Sequence, residues 1–372
     1  MTDRLEREQK SARTASGQPE RPERMDIRAI ARLANVSIAT VSRTINRVPT
    51  VNPRMAKRVW EVIEKLDFVP NTQARALVSG RSKLFGLIVS EITNPFFPEL
   101  IQGFEDTAVE HGYEMLVSST NHSPQRMSHC IRRMLERKVE GVAIMTFGIE
   151  EPLLDQLAKR KVPLVFIDQG PDRPGIGILK VDYHHGIRQA VQHLAALGHR
   201  DIAFVSGPMR LHSAQSRLAA FQKSMQECGL ACGNGTDRHR IVEGNHTLEG
   251  GVAAAEKLLA LPNLPTGVLC SNDMTAIGVL HKLYRTGLRV PDDISLIGFD
   301  DIHIAEVMMP PLTTIQMSCV EIAKTAFAAL RQQAESPDTG PGKREFQIHT
   351  NLIVRESTTF PRSAPTRLRS KA

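Results

Sequence analysis

The sequence predicts a small all-α head followed by an α/β core with two parallel sheets. Three observations predict this fold class: a pair of amphipathic helical patterns at residues 25–43, a concentration of positive charge around that pair, and an alternation of apolar strands and amphipathic helices from residue 84 onward. With 372 residues, 41% of them hydrophobic, the chain is long enough to bury two or three cores of ordinary size.

The helix pair consists of two short helices joined by a tight turn. In the first helix, apolar residues recur at i, i+3, i+4 and i+7 spacing: Ile27, Ile30, Ala31 and Ala34. Residues 35–37 interrupt this pattern, and Ser37 can cap the second helix by accepting a backbone N–H bond. The second helix is expected to bury Val41 and Ile45.

The outward face of the second helix carries small, hydroxyl-bearing and basic side chains: Ala39, Thr40, Ser42, Arg43 and Asn46. Such side chains suit close approach to phosphates and base edges, so this helix-turn-helix pattern is a candidate DNA-reading surface. An ordinary amphipathic helix pair is the alternative for a pattern of this length.

Charge favours the DNA interpretation. Residues 25–83 contain eleven basic and four acidic side chains, a net charge of +7, which equals the net charge of the whole chain. Residues 84–360 sum to −5, and the two tails supply the remaining +5. Positive charge is therefore concentrated where a phosphate backbone would bind.

A third helix and a connector follow the helix pair. Asn52 and Pro53 are a preferred N-cap and a preferred first helical residue, and we expect Trp60 to be a core or helix-packing residue. In the connector at residues 71–83, Leu77 is an apolar side chain flanked by Arg75 and Arg81. An apolar residue between basic ones is the composition used to open a minor-groove base step, although a plain linker is the alternative.

From residue 84 the pattern alternates between strands and helices, which predicts βαβ units in two sheets and hence two lobes. The predicted strands are 84–90, 113–118, 141–146, 163–168, 201–206, 241–243, 267–270, 294–299 and a final 346–354. The helix at 320–334 is expected to return to the first lobe, and the final strand to join the second. The expected boundaries are a disordered tail at 1–24, the head at 25–70, a hinge at 71–83, lobe 1 at about 84–181 and 314–338, lobe 2 at about 182–313 and 339–360, and a basic tail at 361–372.

Ligands of open α/β sheets lie beyond the carboxyl ends of the strands. That rule selects residues 91–97, 168–169, 207–217, 245–246, 272–273 and 300–301, a mixture of polar groups and aromatic rings suited to a small polar ligand. For Asp273 and Asp301 we favour helix capping over ligand binding. Phe96 and Phe97 are equally compatible with core filling and ligand stacking, and His246 is expected to be a polar residue facing the cleft.

Several function classes lack support in the sequence. There is no apolar run long enough to cross a bilayer, no secretory signal, and no dinucleotide, P-loop, nucleophile-elbow or HExxH motif. The five cysteines are scattered without metal-ligand spacing, so reduced thiols in a cytoplasmic protein are expected. We expect no catalytic residues, no cofactor and no metal.

Particular segments resemble the lactose-repressor (LacI/GalR) family of bacterial transcription regulators. They are VSIATVSRTIN, VPTVNPRMAKRVWEVIEKLDFVPN, ARALVSGRSKLFGLIV, NPFF, GHRDIAFVSGP, RLAAF, SNDMTAIGVL, TGLRVPDDISLIGFDD and PPLTTI. The resemblance covers residues 26–360. It implies a repressor with a core like that of periplasmic sugar-binding proteins, a homodimer or tetramer that binds a pseudo-palindromic double-stranded DNA operator, and a small-molecule effector between the lobes.

The resemblance also implies roles in DNA binding. Ile38 and Ala39 would touch base edges and Arg43 would point at a base. Ser37, Thr40, Ser42 and Asn46 would lie near phosphates. Leu77 would be the minor-groove wedge of a hinge helix, with Ala74 beside it.

Carried over by position, the implied effector contacts are Phe96, Phe97, Asp168, Ser213, Gln215, Arg217, His246, Asn272 and Asp300. Gln215 stands where sugar-binding relatives often have arginine, and His246 where many have an aromatic ring. The implied effector is a sugar, a sugar acid or a related metabolite. The alternatives are a solute-binding protein and a purine-type regulator that depends on a co-repressor.

Overall fold

The computed structural model describes residues 26–46, 48–69, 81–146, 149–171, 173, 175–230, 240–335 and 344–362. It divides the chain into two compact units, Met1–Ser82 and Lys83–Ala372, and each is described by itself. Within the described residues, no helix is long and apolar enough to cross a membrane.

The described part of the first unit contains α1 (Ile27–Leu33), α2 (Ile38–Ile45) and α3 (Pro53–Lys65). Its caps follow from the sequence: the Ser37 hydroxyl accepts the Thr40 N–H at 3.1 Å, and the Asn52 side chain accepts the Arg54 N–H at 2.9 Å. The turn between α1 and α2 places Asn35 at φ +49°, a left-handed conformation that asparagine tolerates.

A small apolar core joins the three helices, and its fully buried members are Ile30, Ala31, Ala34, Val41, Val59 and Ile63. Two expectations for this unit need correction. Trp60 is 40% exposed, because it lies on α3 next to the inward-facing Val59 and so points away from the buried stripe. On α2, Thr44 is buried and satisfies its hydroxyl by donating to the Thr40 carbonyl at 2.8 Å, whereas Ile45 is only half-buried.

The second unit is the α/β core, whose elements are numbered on from the head in chain order. Its described strands are β1 (Leu84–Val89), β2 (Glu114–Ser119), β3 (Gly141–Met145), β4 (Leu164–Ile167), β5 (Ile176–Asp182), β6 (Ile202–Ser206), β7 (Ile241–Glu243), β8 (Gly267–Cys270), β9 (Ser295–Asp300), β10 (Thr313–Gln316), β11 (Arg344–His349) and β12 (Asn351–Ile353). Its described helices are α4 (Phe96–Glu110), α5 (Pro124–Glu136), α6 (Glu151–Lys159), α7 (Tyr183–Ala196), α8 (His212–Glu227), α9 (Leu248–Leu259), α10 (Asp273–Arg285), α11 (His303–Val307) and α12 (Cys319–Glu335).

The strands form two six-stranded sheets, one in each lobe. The first sheet has the order β11-β5-β4-β3-β1-β2 and is parallel throughout. The second has the order β12-β10-β9-β8-β6-β7 and is parallel except for β12, which runs antiparallel to β10. Helices cover the near-continuous apolar strands of both sheets, as expected for parallel sheets buried on both faces.

The chain passes between the lobes at three places. It leaves β5 of the first sheet for α7, which packs on β10 and β12 of the second sheet. It then returns from β10 to α12, which packs against α4 and the first sheet, as predicted. The last passage runs from β11 to β12 through the buried Thr350.

This last passage corrects the sequence-based interpretation. The predicted strand 346–354 is two strands, of which β11 belongs to the first sheet and only β12 to the second. The split follows from Thr350, whose hydroxyl accepts the Gly186 N–H at 3.0 Å and donates to the Asp182 carbonyl at 2.7 Å. These two hydrogen bonds hold Thr350 against the first crossing between the lobes and interrupt the strand at this residue.

Candidate functional site

The exposed face of α2 is the first candidate site. Ile38 is 47% exposed, and Ala39 and Arg43 are also exposed. Arg43 projects from a helix whose opposite side is fixed by the fully buried Val41, so the orientation of this face is determined by packing. An exposed guanidinium beside an exposed apolar pair can meet both the polar edge of a guanine and the methyl group of a thymine.

Hydroxyl and amide groups border this face. The Ser37 and Thr40 hydroxyls lie 2.9 Å apart, and Ser42 and Asn46 are half-buried. These side chains therefore lie at the rim of the α2 face, where phosphate oxygens would approach. Ala74 and Leu77 of the predicted hinge lie outside the described residues.

The second candidate site is the cleft between the two lobes of the core. The lobe 1 wall is lined by Ser90, Glu91, Asn94, Phe96, Phe97, His122, Met145, Thr146, Ile167 and Asp168. The opposite wall and the crossings supply Tyr183, Leu211, Ser213, Arg217, His246, Asn272, Asp300 and Met317. The cleft thus lies at the carboxyl ends of the strands of both sheets.

Arg217 is the central cation of the cleft and is only 6% exposed. Its guanidinium carbon lies 3.9 Å from the ring centroid of Phe299 and 5.0 Å from that of Tyr183. Nη1 donates to the Ser271 carbonyl, and Nη2 lies 3.4 Å from Oδ1 of Asp300. The protein therefore compensates this buried charge with a carbonyl, a carboxylate and two aromatic faces.

The carboxyls of Asp300 and Asp168 face the cleft from the two lobes. Burial raises the pKa of Asp300 to about 7, an effect that the neighbouring Arg217 only partly offsets. Burial also raises the pKa of Asp168, against the opposing effect of a hydrogen bond with Tyr183. By contrast, the hydrogen bond with His122 is the main reason why the pKa of Glu91 is lowered.

Asn272 and Asp273 are oriented by the protein itself. The Asn272 side chain caps α10 by accepting the Thr275 N–H at 3.0 Å, and it donates to the His246 carbonyl at 3.0 Å. The fully buried Asp273 accepts the Thr314 hydroxyl at 2.6 Å and the Ile302 N–H at 3.0 Å. Asp273 is structural as expected, but the helix cap is Asn272.

Comparisons with known proteins identify the two units. Residues 26–71 match the model of bacterial regulatory proteins of the lacI family, and residues 191–358 match that of the periplasmic binding protein-like domain. The HTH-type transcriptional repressor PurR of Aliivibrio salmonicida (strain LFI1238) is 33% identical over 332 residues, which span 89% of this chain and 98% of the relative. The chain belongs to the lacI family.

Solved structures of two transcription regulators have the same fold as this lacI-family chain. The lac repressor dimer bound to operator and the anti-inducer ONPF is 25% identical, with a TM-score of 0.76 over 90% of this chain and 99% of the other. The transcriptional regulator CelR–cellobiose complex is 27% identical, with a TM-score of 0.66 over 90% of this chain and 100% of the other. This lacI-family chain is accordingly a DNA-binding transcriptional repressor with an effector-binding core, as the sequence predicted.

The structure brings together eight of the nine residues proposed from the sequence as effector contacts. Phe96, Phe97, Asp168, Ser213, Arg217, His246, Asn272 and Asp300 all line the cleft of this lacI-family core. Gln215 does not line this cleft: its side chain is exposed, donates to the Met209 carbonyl at 2.7 Å and borders a neighbouring pocket between the lobes. The reason is helical geometry, since a residue two positions from Ser213 and two from Arg217 on α8 points to another side.

Some cleft residues of this lacI-family core were missed, among them Tyr183 and Met317. Tyr183 directly follows β5, and Met317 directly follows β10. Neither strand was predicted, so the strand-end rule was not applied there. Leu211, in contrast, falls within the selected range 207–217 but was not singled out.

His246 gives a testable pH dependence. It has φ +65°, its ring packs against Gly207, and its Nε2 has no hydrogen-bond partner among the described residues. Burial, aided by the charge of Arg217, lowers the pKa of His246 to about 3. Because the fold favours the neutral ring, its contribution to stability is complete above about pH 6.5 and is lost as the pH falls towards 3.

We therefore expect His246→Gln to reduce the decline in the free energy of unfolding between pH 6.5 and pH 3, measured by urea denaturation. The buried aspartates contribute in the opposite direction, because their raised pKa values make the folded state more stable at acid pH. This contribution is common to both proteins, so it cancels when the free energy of unfolding of the variant is subtracted from that of the wild type. His129→Gln, at an exposed position on α5, is the matched control and should keep the wild-type profile. An NMR titration that places the His246 pKa near 6.5 would contradict this interpretation.

Proposed function

We propose that this chain is a homodimeric, effector-controlled repressor that reads a pseudo-palindromic operator in the cytoplasm and catalyses no reaction. The observation that carries the proposal is the combination, in one chain, of an exposed α2 face on a strongly basic head with a polar cleft between two lobes. Basic charge supplies affinity for phosphates, and the α2 face supplies base contacts. The lac repressor dimer bound to its operator is the precedent for assembly.

In this proposal Arg43 donates to a guanine edge, and Ile38 and Ala39 contact thymine methyl groups. Ser37, Thr40, Ser42 and Asn46 hold the neighbouring phosphates. Leu77 enters the minor groove between the two half-sites with Ala74 beside it. A tetramer is compatible with the same arrangement, in which the two heads of a dimer bind the two half-sites.

For the effector we propose a neutral polyhydroxylated molecule, such as a sugar. Nη1 and Nη2 of Arg217 already face the Ser271 carbonyl and Asp300, whereas Nε has no hydrogen-bond partner among the described residues and can donate to a ligand hydroxyl oxygen. An acidic ligand would also meet Glu91 and Asp168 on the opposite wall. Hydroxyl groups, in contrast, can donate to these carboxyls while Phe96 and Phe97 cover an apolar ring face.

The cleft is suited to binding and not to turnover. Two imidazoles line the cleft: Nε2 of His246 has no hydrogen-bond partner among the described residues, and Nε2 of His122 lies 3.8 Å from Oε1 of Glu91. Ser90, on the lobe 1 wall, donates its hydroxyl to the Met145 carbonyl at 3.1 Å. The arrangement therefore lacks the hydrogen-bonded nucleophile and base of covalent catalysis in this part of the chain.

Control of DNA binding would follow from the position of the effector between the lobes. A ligand that contacts both walls stabilises one interlobe angle, and the three chain crossings transmit that angle through the core. The sign of the response, induction or co-repression, depends on which angle favours paired heads. A measurement of operator affinity with and without the effector shows whether the effector lowers or raises it.

A thermal-shift screen tests the effector class. Neutral sugars and polyols should raise the melting temperature, because a ligand of the folded state stabilises it, whereas the matched sugar acids should not. Nucleobases form the second arm of the screen and test the alternative of a purine-type regulator; the PurR repressors of three species are each 33% identical to this chain. Stabilisation by nucleobases or sugar acids alone would contradict the neutral-polyol proposal.

A further inference from the structure

A cluster of metal-ligating side chains lies at the lobe crossings, outside the residues that line the effector cleft. It consists of Asp182, His185 and His349, whose potential ligand atoms all lie within 4.8 Å of one another. Oδ2 of Asp182 is 3.5 Å from Nδ1 of His349, and the two imidazole rings are 5.7 Å apart. Neither the proposed DNA contacts nor the proposed effector contacts use these three side chains.

The fold fixes the positions from which the three side chains extend. Asp182 and His349 are register partners at the ends of the parallel strands β5 and β11. His185 lies in the first turn of α7, where its N–H donates to Oδ1 of Asp182 at 3.1 Å. Thr350 bridges the same two segments through Gly186 and the Asp182 carbonyl. The cluster is therefore defined by backbone pairing and not by loop geometry.

The ligand set has a clear chemical preference. Two imidazoles and one carboxylate suit borderline transition-metal ions, whereas Mg²⁺ and Ca²⁺ prefer oxygen ligands throughout. Zinc binds histidine nitrogen and carboxylate oxygen at about 2.0–2.2 Å. Ligand atoms around such an ion are about 3 Å apart. The 3.5 Å pair is close to this spacing, and the third ligand atom lies within 4.8 Å of the other two.

Neighbouring side-chain amides contact the cluster. The Gln189 side-chain oxygen accepts the Leu352 N–H at 2.8 Å, which orients its amide nitrogen 3.2 Å from Nε2 of His185. On the other side, the amide nitrogen of Gln347 lies 3.5 Å from Oδ2 of Asp182. Both amides hold these side chains as acceptors, and a metal ion would displace the amide donor from the nitrogen or oxygen that it binds.

We propose that Asp182, His185 and His349 bind one divalent transition-metal ion of the zinc class, with water completing its coordination. Asp182 and His349 end strands of the first sheet, while His185 belongs to the helix that packs on the second. The ion would therefore join the first and last lobe crossings and restrain the angle between the lobes. Metal binding at this site would therefore affect the angle between the lobes in addition to the effector. The proposal does not depend on the identity of the cleft ligand.

The site is tested by calorimetric titration of the full chain with Zn²⁺. The wild type should bind one equivalent that is weakened at least about tenfold in both His349→Gln and His185→Gln, since loss of even an outer-shell partner costs roughly 10–100-fold in metal affinity. The His349 side chain is 58% exposed, so this variant should keep the wild-type fold and cleft-ligand binding. His129→Gln, the exposed histidine on α5, is the matched control and should bind Zn²⁺ like the wild type.

A second readout is the melting temperature with and without Zn²⁺. It should rise in the wild type and in His129→Gln, but not in His349→Gln. The proposal is overturned if the wild type binds no Zn²⁺, or if the two cluster variants retain its affinity and stoichiometry. Because the readouts are metal affinity and stability, failure here would leave the repressor proposal untouched.

Discussion

Replacing Arg43 by alanine will weaken operator binding by about 5- to 150-fold, equivalent to about 1–3 kcal/mol, and will relax the base preference at one position of each half-site. The physical reason is the loss of the guanidinium donors that α2 presents to a base edge. Arg43 is exposed and lies outside the small apolar core of the head, so the melting temperature should stay at the wild-type value. Fluorescence anisotropy at fixed salt concentration, with the operator and with single-base variants, measures both effects.

Lys65→Ala is the matched control for this prediction. It removes the same charge from an exposed site of the same unit, but from the last turn of α3. It should change affinity slightly and equally for all sequences, because a distant charge acts only on the phosphate field. An Arg43 variant that loses affinity equally for every duplex would show that Arg43 contacts phosphate and reads no base.

Replacing Arg217 by methionine will lower the free energy of unfolding of the core by about 3–5 kcal/mol and abolish effector binding. The substitution leaves Asp300 buried without its cation, which adds to the burial that already raises the pKa of this carboxyl. Urea denaturation measures the stability, and the thermal-shift response to the cleft ligand measures binding.

Two further variants separate charge from packing. Arg217→Met combined with Asp300→Leu should recover most of the lost stability, because an apolar pair can replace a buried ion pair. This double variant should still fail to bind the effector. Lys223→Met on the exposed side of α8 removes a cation 3.8 Å from Glu227 and should change stability by less than about 1 kcal/mol. If the double variant still binds the effector, Arg217 and Asp300 do not form the binding site.

The sequence predicted the fold where its signals were local. Capping residues such as Ser37 and Asn52 and the near-continuous apolar strands were sufficient to locate most elements. β10 was not predicted because Thr313 and Thr314 are polar residues whose burial depends on partners far along the chain. β5 escaped for a different reason, since it ends in the half-exposed, polar crossing at Asp182.

Much of the cleft was predictable, but its chemistry was not. The strand-end rule located Asp168 and Asp300, whereas their raised pKa values depend on burial between two lobes that are remote in sequence. Gln215 borders a neighbouring pocket and not the cleft itself, because it lies on another side of α8 from Ser213 and Arg217, which positional carry-over does not take into account. Likewise, the Asp182–His185–His349 cluster shows no metal-ligand spacing in the sequence, because His349 lies at the end of β11, far along the chain from the other two residues.

The central claim is that the cleft and the α2 face are energetically coupled in one molecule. The most direct test measures operator affinity with and without the cleft ligand found by the thermal-shift screen, and ligand affinity with and without operator, at one salt concentration. Linkage requires the two affinities to change by the same factor, and we predict a factor of about 5–150. A ligand that occupies the cleft and leaves operator affinity unchanged would contradict the account.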